Sequence, residues 1–258
     1  TPGRGVRAAL KRGEDGDLDA DLVVFDGTEL GELQRGFNSM VAGLRERERV
    51  RDLFGRHVGR EVAAAAEQQR PTLGGEERHV AVMFVDIVGS TQLVSTLPPK
   101  DVVELLNRFF AVVVEEVDRH RGIVNKFEGD ATLAIFGAPV TLDNPDDDAL
   151  AAARTIAGRL IREVPECPAG IGVAAGQVVA GNVGAYERFE YTVIGEPVNE
   201  AARLSELAKL RPGHRVLACA DTVAAASQDE QRCWEIGDSV TLRGYEQPTR
   251  LATLVRTS

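Results

Sequence analysis

The chain is poor in cysteine and histidine, has no excess of positive charge and contains no long apolar run. Its three cysteines, Cys167, Cys219 and Cys233, are odd in number and far apart, which excludes a disulfide framework and points to reduced thiols in a cytosolic setting. The four histidines, His57, His79, His120 and His214, form no pair at helix-ligand spacing with them, so no zinc site is expected. Lys plus Arg total 30 against 40 Asp plus Glu, a formal net charge of -10. With no basic field to release counterions from a nucleic-acid backbone, a DNA or RNA partner is not expected. No segment approaches the ~18 to 20 apolar residues that cross a bilayer, and no signal peptide is present. The letters therefore read as a soluble chain, and a start at Thr1-Pro2-Gly3 without methionine reads as a fragment of something longer. With 43% hydrophobic and 27% charged residues, the composition is globular, and the length allows one sizeable core and a smaller second unit.

What is present begins with two acids. Asp86 ends the apolar run Val82-Met83-Phe84-Val85 and leads into Ile87-Val88-Gly89-Ser90-Thr91, while Asp130 closes Asn125-Lys126-Phe127-Glu128-Gly129. Apolar periodicity predicts a strand over 80–87, then a helix striped by Val102, Leu106, Phe109, Phe110, Val113 and Val117. Strands over 122–127 and 131–136 flank the turn at 128–130, followed by an alanine-rich helix over 146–162 and a strand over 169–174. This is βαββαβ, an α+β sandwich of ferredoxin-like type. Its first two strands run parallel with the third between them, so the end of the first meets the start of the third and the two acids converge. Carboxylates ~4 Å apart repel by ~4 kcal/mol at an effective dielectric of ~20. A hard divalent cation removes that penalty, and carboxylates with water and phosphate oxygens suit Mg²⁺ or Mn²⁺. The pair reads as a metal site for a nucleotide triphosphate. Beyond it, the pattern adds a strand at 191–194, a helix over 198–209 and short strands near Val216, Trp234 and Leu242.

Three further groups carry possible chemistry. Gly89-Ser90-Thr91 leaves backbone N–H groups at a turn into a helix, a geometry suited to phosphate, although such a turn is ordinarily just a helix start. Lys126 stands four residues before Asp130, and Thr192 lies in Tyr191-Thr192-Val193-Ile194-Gly195. Pro197 opens a helix on which Asn199 and Arg203 face one way. Taken singly, each is a solvated side chain in most proteins.

Upstream, Leu30, Leu33, Phe37, Met40 and Leu44 recur at three and four residues over 29–49. That stripe serves equally a dimeric seam or a surface helix packed on its own domain. A weakly apolar basic segment (Val6, Leu10) and the acidic connector Gly13-Glu14-Asp15-Gly16-Asp17 precede it, giving helix, connector, helix. Residues 45–68, charged and then alanine-rich, favour a linker helix, ended by Pro71, Gly74 and Gly75.

Two resemblances organise these pieces. Pro2, the acidic connector and Glu29-Leu30-Gly31-Glu32-Leu33-Gln34-Arg35-Gly36-Phe37-Asn38-Ser39-Met40 resemble a HAMP signal-relay module. Residues 79–250 closely resemble the class III nucleotidyl cyclase catalytic domain, through Phe84-Val85-Asp86-Ile87-Val88-Gly89-Ser90-Thr91, Lys126-Phe127-Glu128-Gly129-Asp130, the stretch Tyr191 to Leu204, and Leu242-Arg243-Gly244. The expected organisation is a HAMP-like module at 1–49, a linker helix at 50–74, and a catalytic domain at 75–258 with extra C-terminal strands and helices. The cyclase resemblance implies Asp86 and Asp130 as ligands of two Mg²⁺ or Mn²⁺ ions per site, with the Ile87 carbonyl assisting. It implies Gly89, Ser90 and Thr91 at the phosphates, Lys126 and Thr192 as readers of the purine, Asn199 orienting the ribose, and Arg203 on the α-phosphate. The acids come from one protomer and Lys126, Thr192, Asn199 and Arg203 from the other, so a homodimer has two composite sites. The implied reaction is ATP to 3′,5′-cyclic AMP and pyrophosphate.

The chain departs from the commonest adenylyl pattern at Thr192, where Asp is frequent, and at Gly195-Glu196 in place of Gly-Asp. A hydroxyl both donates and accepts, so Thr192 can take the adenine amino group while Lys126 donates to a ring nitrogen. Guanylyl cyclases tend to carry Glu at the lysine position. A guanylyl or mixed-specificity cyclase, and a nucleotide-binding signalling module without turnover, are the competing readings. No Gly-Gly-Asp/Glu-Glu-Phe turn favours a diguanylate cyclase, and no phosphate-accepting His helix or glycine-rich lid favours a sensor kinase. The HAMP resemblance implies a transmembrane segment upstream and a place on the cytoplasmic face of a membrane.

Overall fold

The computed structural model describes residues 11–12, 18–19, 22, 29–68, 71–211, 213 and 215–255. The chain divides into two compact units, Thr1–Ala63 and Ala64–Ser258.

In the first unit, α1 (Glu29–Val58) is one uninterrupted helix of 30 residues, passing through the expected junction at 49/50. Its end is set by Gly59, whose φ of +92° suits a residue without Cβ; α2 (Arg60–Gln68) follows. The apolar stripe divides. Phe37 is buried, and with Val41 it packs against Leu18 and Leu22, whereas Leu33, Met40 and Leu44 are exposed. Asn38 clamps the segment at Leu22 from both sides, accepting from its N–H at 2.8 Å and donating to its carbonyl at 2.7 Å. The expected helix at Val6 and Leu10 and the connector at 13–17 lie outside the described residues.

The second unit is built on one mixed sheet. Its strands are β1 (Gly74–Ile87), β2 (Ile123–Glu128), β3 (Ala131–Phe136), β4 (Ala169–Ala185), β5 (Arg188–Ile194), β6 (Val216–Cys219), β7 (Trp234–Val240) and β8 (Thr249–Leu254). They run in the order β2-β3-β1-β4-β6-β8-β7, with β5 on β4. Strand β1 lies between β3 and β4 and is antiparallel to both, the split arrangement expected of βαββαβ. Because both its faces are covered, it reads as a continuous apolar run. Ala81, Met83, Val85 and Ile87 join the core formed with α4 (Pro99–Arg119) and α5 (Pro145–Glu163). The alternate residues Val80, Val82 and Phe84 are also buried, on the opposite face as strand geometry requires. Helix α6 (Glu196–Lys209) buries Ala201, Leu204, Ser205 and Ala208.

The short helices α3 (Ser90–Thr96), α7 (Ala220–Ala225) and α8 (Gln228–Gln231) lacked a periodic signal long enough to read. Two strand expectations are corrected. Strand β4 continues to Ala185 rather than stopping at 174, because its glycine-rich second half gains its ladder from the start of β1 and from β5. Leu242 lies in the connection between β7 and β8; it is a buried loop residue, which an apolar letter alone does not distinguish from a strand. Among the described residues, no helix is long and apolar enough to cross a membrane.

Candidate active site

The two acids meet. Asp86 pairs with Ala131 in the β1–β3 register, and Asp130 directly precedes Ala131. The β2–β3 hairpin turns through Gly129 and Asp130 alone, which Gly129 permits by adopting a φ of +68°. This sets Asp130 beside Asp86 at one end of the sheet. Burial raises the Asp86 pKa above the usual carboxylate range; the Lys209 ammonium opposes this, and the charge of Asp130 adds to it. Lys209 Nζ forms an ion pair with Asp86 Oδ2. A side-chain ammonium thus already stands as counter-cation beside the paired carboxyl groups, so the donor set fits divalent metal. Ile87 ends β1 opposite Ala169 with its side chain in the core, leaving its backbone as the only group available to a ligand.

Gly89 sits at a φ of +68° and precedes α3 without a side-chain cap. The N–H groups of Gln92 and Leu93 both bond its carbonyl, at 3.0 and 3.1 Å. The Gly89, Ser90 and Thr91 amides form the open start of that turn.

Side-chain contacts between β2 and β5 involve both Lys126 and Thr192. Lys126 Nζ pairs with Glu190 Oε1 at 2.6 Å. Asn125 Nδ2 donates to the Tyr191 carbonyl at 2.6 Å, and the Thr192 hydroxyl donates to Asn125 Oδ1 at 3.3 Å. Neither Asn125 nor Glu190 was singled out from sequence; only their places beside Lys126 and Thr192 could have drawn attention.

Helix α6 carries Asn199, which is exposed, and Arg203, which is partly exposed and bonded to Glu206 Oε1 at 2.8 Å. It lies close on β4 because Gly170 and Gly172 have no Cβ: one at Gly172 would run into the Ala201 carbonyl and the Ser205 amide. Ser205 Oγ donates to the Gly170 carbonyl at 3.0 Å. Lys209, at the end of this helix, went unread because a terminal lysine is the ordinary complement to a helix dipole. It is six residues past Arg203, ~9 Å along the axis and about 120° around it. The helix that offers Lys209 to Asp86 therefore directs Arg203 elsewhere.

Residues 75–252 match the adenylate and guanylate cyclase catalytic domain, and residues 5–46 match the HAMP domain. The chain belongs to the class III cyclase family. An uncharacterized protein of Mycobacterium tuberculosis is 75% identical over 252 residues, covering 98% of this chain and 46% of that protein. The chain thus spans about half the length of the relative it matches. Among solved structures, a bacterial light-regulated adenylyl cyclase superposes with a TM-score of 0.72 at 22% identity, covering 84% of this chain and 64% of the other. The guanylyl cyclase Cya2 superposes with a TM-score of 0.57 at 27% identity, covering 70% of this chain and 94% of the other. The cyclase fold of the second unit, with a HAMP region ahead of it, is in agreement with the expected α+β class.

Proposed function

We propose that this cyclase domain is an adenylyl cyclase that converts ATP to 3′,5′-cyclic AMP and pyrophosphate, regulated through the HAMP module. The observation that carries the reading is the convergence of Asp86 with Asp130. Lys126, bonded to Glu190 of the strand that carries Thr192, and Thr192, bonded to Asn125 beside Lys126 in the chain, supply complementary chemistry for a purine.

Asp86, Asp130 and the Ile87 carbonyl would hold two Mg²⁺ or Mn²⁺ ions, which supply charge to the triphosphate and acidity to the ribose 3′-hydroxyl. The chain's own residues provide position. The open turn at Gly89, Ser90 and Thr91 faces the β- and γ-phosphates, Lys126 donates to the base, and Thr192 accepts from its amino group. Asn199 orients the ribose so that its 3′-oxygen lies in line with the α-phosphorus, and Arg203 stabilises the charge developing on the α-phosphate oxygens. The 3′-oxygen to phosphorus bond forms as the bond to the pyrophosphate oxygen breaks, the hydroxyl proton passing to water and the electron pair of the broken bond leaving with pyrophosphate.

Since α6 offers Lys209 rather than Arg203 to the acids of its own chain, we infer that the site is completed by a second copy, one protomer giving Asp86 and Asp130 and the other Lys126, Thr192, Asn199 and Arg203. We assign 1–49 to the HAMP module, 50–74 to a linker and 75–258 to the catalytic domain, and place the natural protein at the cytoplasmic face of a membrane through an upstream span. The guanylyl alternative draws support from the likeness to Cya2; a lysine at 126, where an acid would pair with guanine, favours adenine.

The test is Asp86→Ala assayed with Mn²⁺ and ATP. Cyclic AMP formation should fall at least a hundredfold, on the scale of losing an electrostatic stabiliser worth about 3 kcal/mol or more. Activity within tenfold of the parent would remove the metal assignment.

A further inference from the structure

We propose that Asn125 determines which purine the site accepts, by converting the Thr192 hydroxyl into a group that only accepts hydrogen bonds. The inference rests on the assignment of Lys126 and Thr192 to the base.

Strand β2 slips register against β3 between Val124 and Lys126, leaving Asn125 as the extra residue. A bulge releases a residue from the ladder and re-aims its side chain. Here the amide is delivered to β5, where Nδ2 meets the Tyr191 carbonyl at 2.6 Å. A carbonyl only accepts, so that contact fixes which end of the amide faces which way; the reverse orientation would oppose two oxygens. Oδ1 is thereby turned to the Thr192 hydroxyl at 3.3 Å. The hydroxyl owns a single proton, and Oδ1 takes it.

What remains on Thr192 Oγ1 is its acceptor capacity. The adenine 6-amino group offers a donor and is satisfied there, whereas the guanine 6-oxo group sets acceptor against acceptor. Lys126 withholds the acid that guanine would pair with, yet with one N–H on Glu190 it still donates to a ring nitrogen of adenine or to the oxygen of guanine, so it does not by itself reject guanine. Discrimination therefore falls to a hydroxyl that behaves as a carboxylate would, which offsets the absence of Asp at 192.

The experiment measures kcat/KM for ATP and GTP with Mn²⁺ in the parent chain, Asn125→Ala, and Asn125→Ala combined with Thr192→Asp. Releasing the hydroxyl should lower the ATP-to-GTP ratio by about ten- to a hundredfold, the scale of one unpaired buried polar group. The added Asp, which carries no proton to redirect, should bring the ratio back. If turnover of Asn125→Ala is too low to compare, displacement of a fluorescent ATP analogue by ATP and by GTP reads the same ratio. A ratio within twofold of the parent in Asn125→Ala, or no recovery with Thr192→Asp, overturns the inference and leaves the cyclase assignment standing. A parent chain that makes cyclic nucleotide without preferring ATP overturns the inference and the adenylyl reading, and leaves a cyclase of mixed specificity. A parent chain that forms neither product overturns the assignment and the inference together.

Discussion

Glu200 follows Asn199 on α6 and shows how burial acts on one side chain. Burial raises its pKa, opposed by hydrogen bonds from Thr249 and Cys219, the Thr249 hydroxyl standing 3.1 Å from Oε1. Burial likewise pushes the Cys219 thiol up to about 12, with the charge of Glu200 adding to it. Because the folded value for Glu200 lies above its ordinary 4.5, the proton it holds favours the fold at low pH. That contribution is lost as pH rises through the folded value. Glu200→Gln keeps an acceptor for Thr249 and removes the charge, so it should raise the melting temperature above neutral pH and leave it unchanged below about pH 4. Thermal unfolding across pH 3 to 9, in rough unit steps, checks this; a lowered melting temperature at neutral pH would contradict it. The acids and bases of the candidate site were legible one by one because their residue types are chemically specific. Their partners were not: Lys209, Asn125 and Glu190 are commonplace surface letters whose meaning comes from what stands opposite.

At the scale of elements, α6 is held by the absence of side chains on the strand beneath it. A methyl at Gly172 would collide with backbone atoms at Ala201, Leu204 and Ser205, which cannot rotate away as a side chain does. Gly172→Ala should therefore cost about 3 kcal/mol of stability, by the usual scale of overpacking. Chemical denaturation measures the loss, and cyclase activity should fall too, since the displaced helix carries Asn199 and Arg203. A stability change under ~0.5 kcal/mol would show that the helix shifts freely. Long periodic elements such as α4, α5 and β1 were legible because a repeated apolar pattern needs a buried face. The second half of β4 was not, because Gly176, Gly181 and Gly184 carry no such pattern and that stretch is a strand only through β1 and β5.

For the whole molecule, the proposed division of each site between two copies predicts complementation. Asp86→Ala and Arg203→Ala chains, each inactive alone, should regain activity when mixed, since one of the two sites in a heterodimer holds both an intact acid pair and an intact Arg203. Confirmed heterodimers without activity would contradict shared sites. The exposed Leu33, Met40 and Leu44 on α1 leave an apolar stripe that such pairing would cover in the first unit.

The letters alone settled the βαββαβ order and the meeting of Asp86 with Asp130, because alternation and helical periodicity are local constraints that leave few topologies open, and the resemblance of four ordered motifs pointed to the family. Three-dimensional packing decided the counter-cation on Asp86, the direction in which Arg203 faces and the orientation of the Asn125 amide. Each depends on where a residue 60 or more positions away comes to rest, or on how a helix seats against a strand. Such placements follow from excluded volume and hydrogen-bond geometry once the sheet has formed, and no spacing along the chain encodes them.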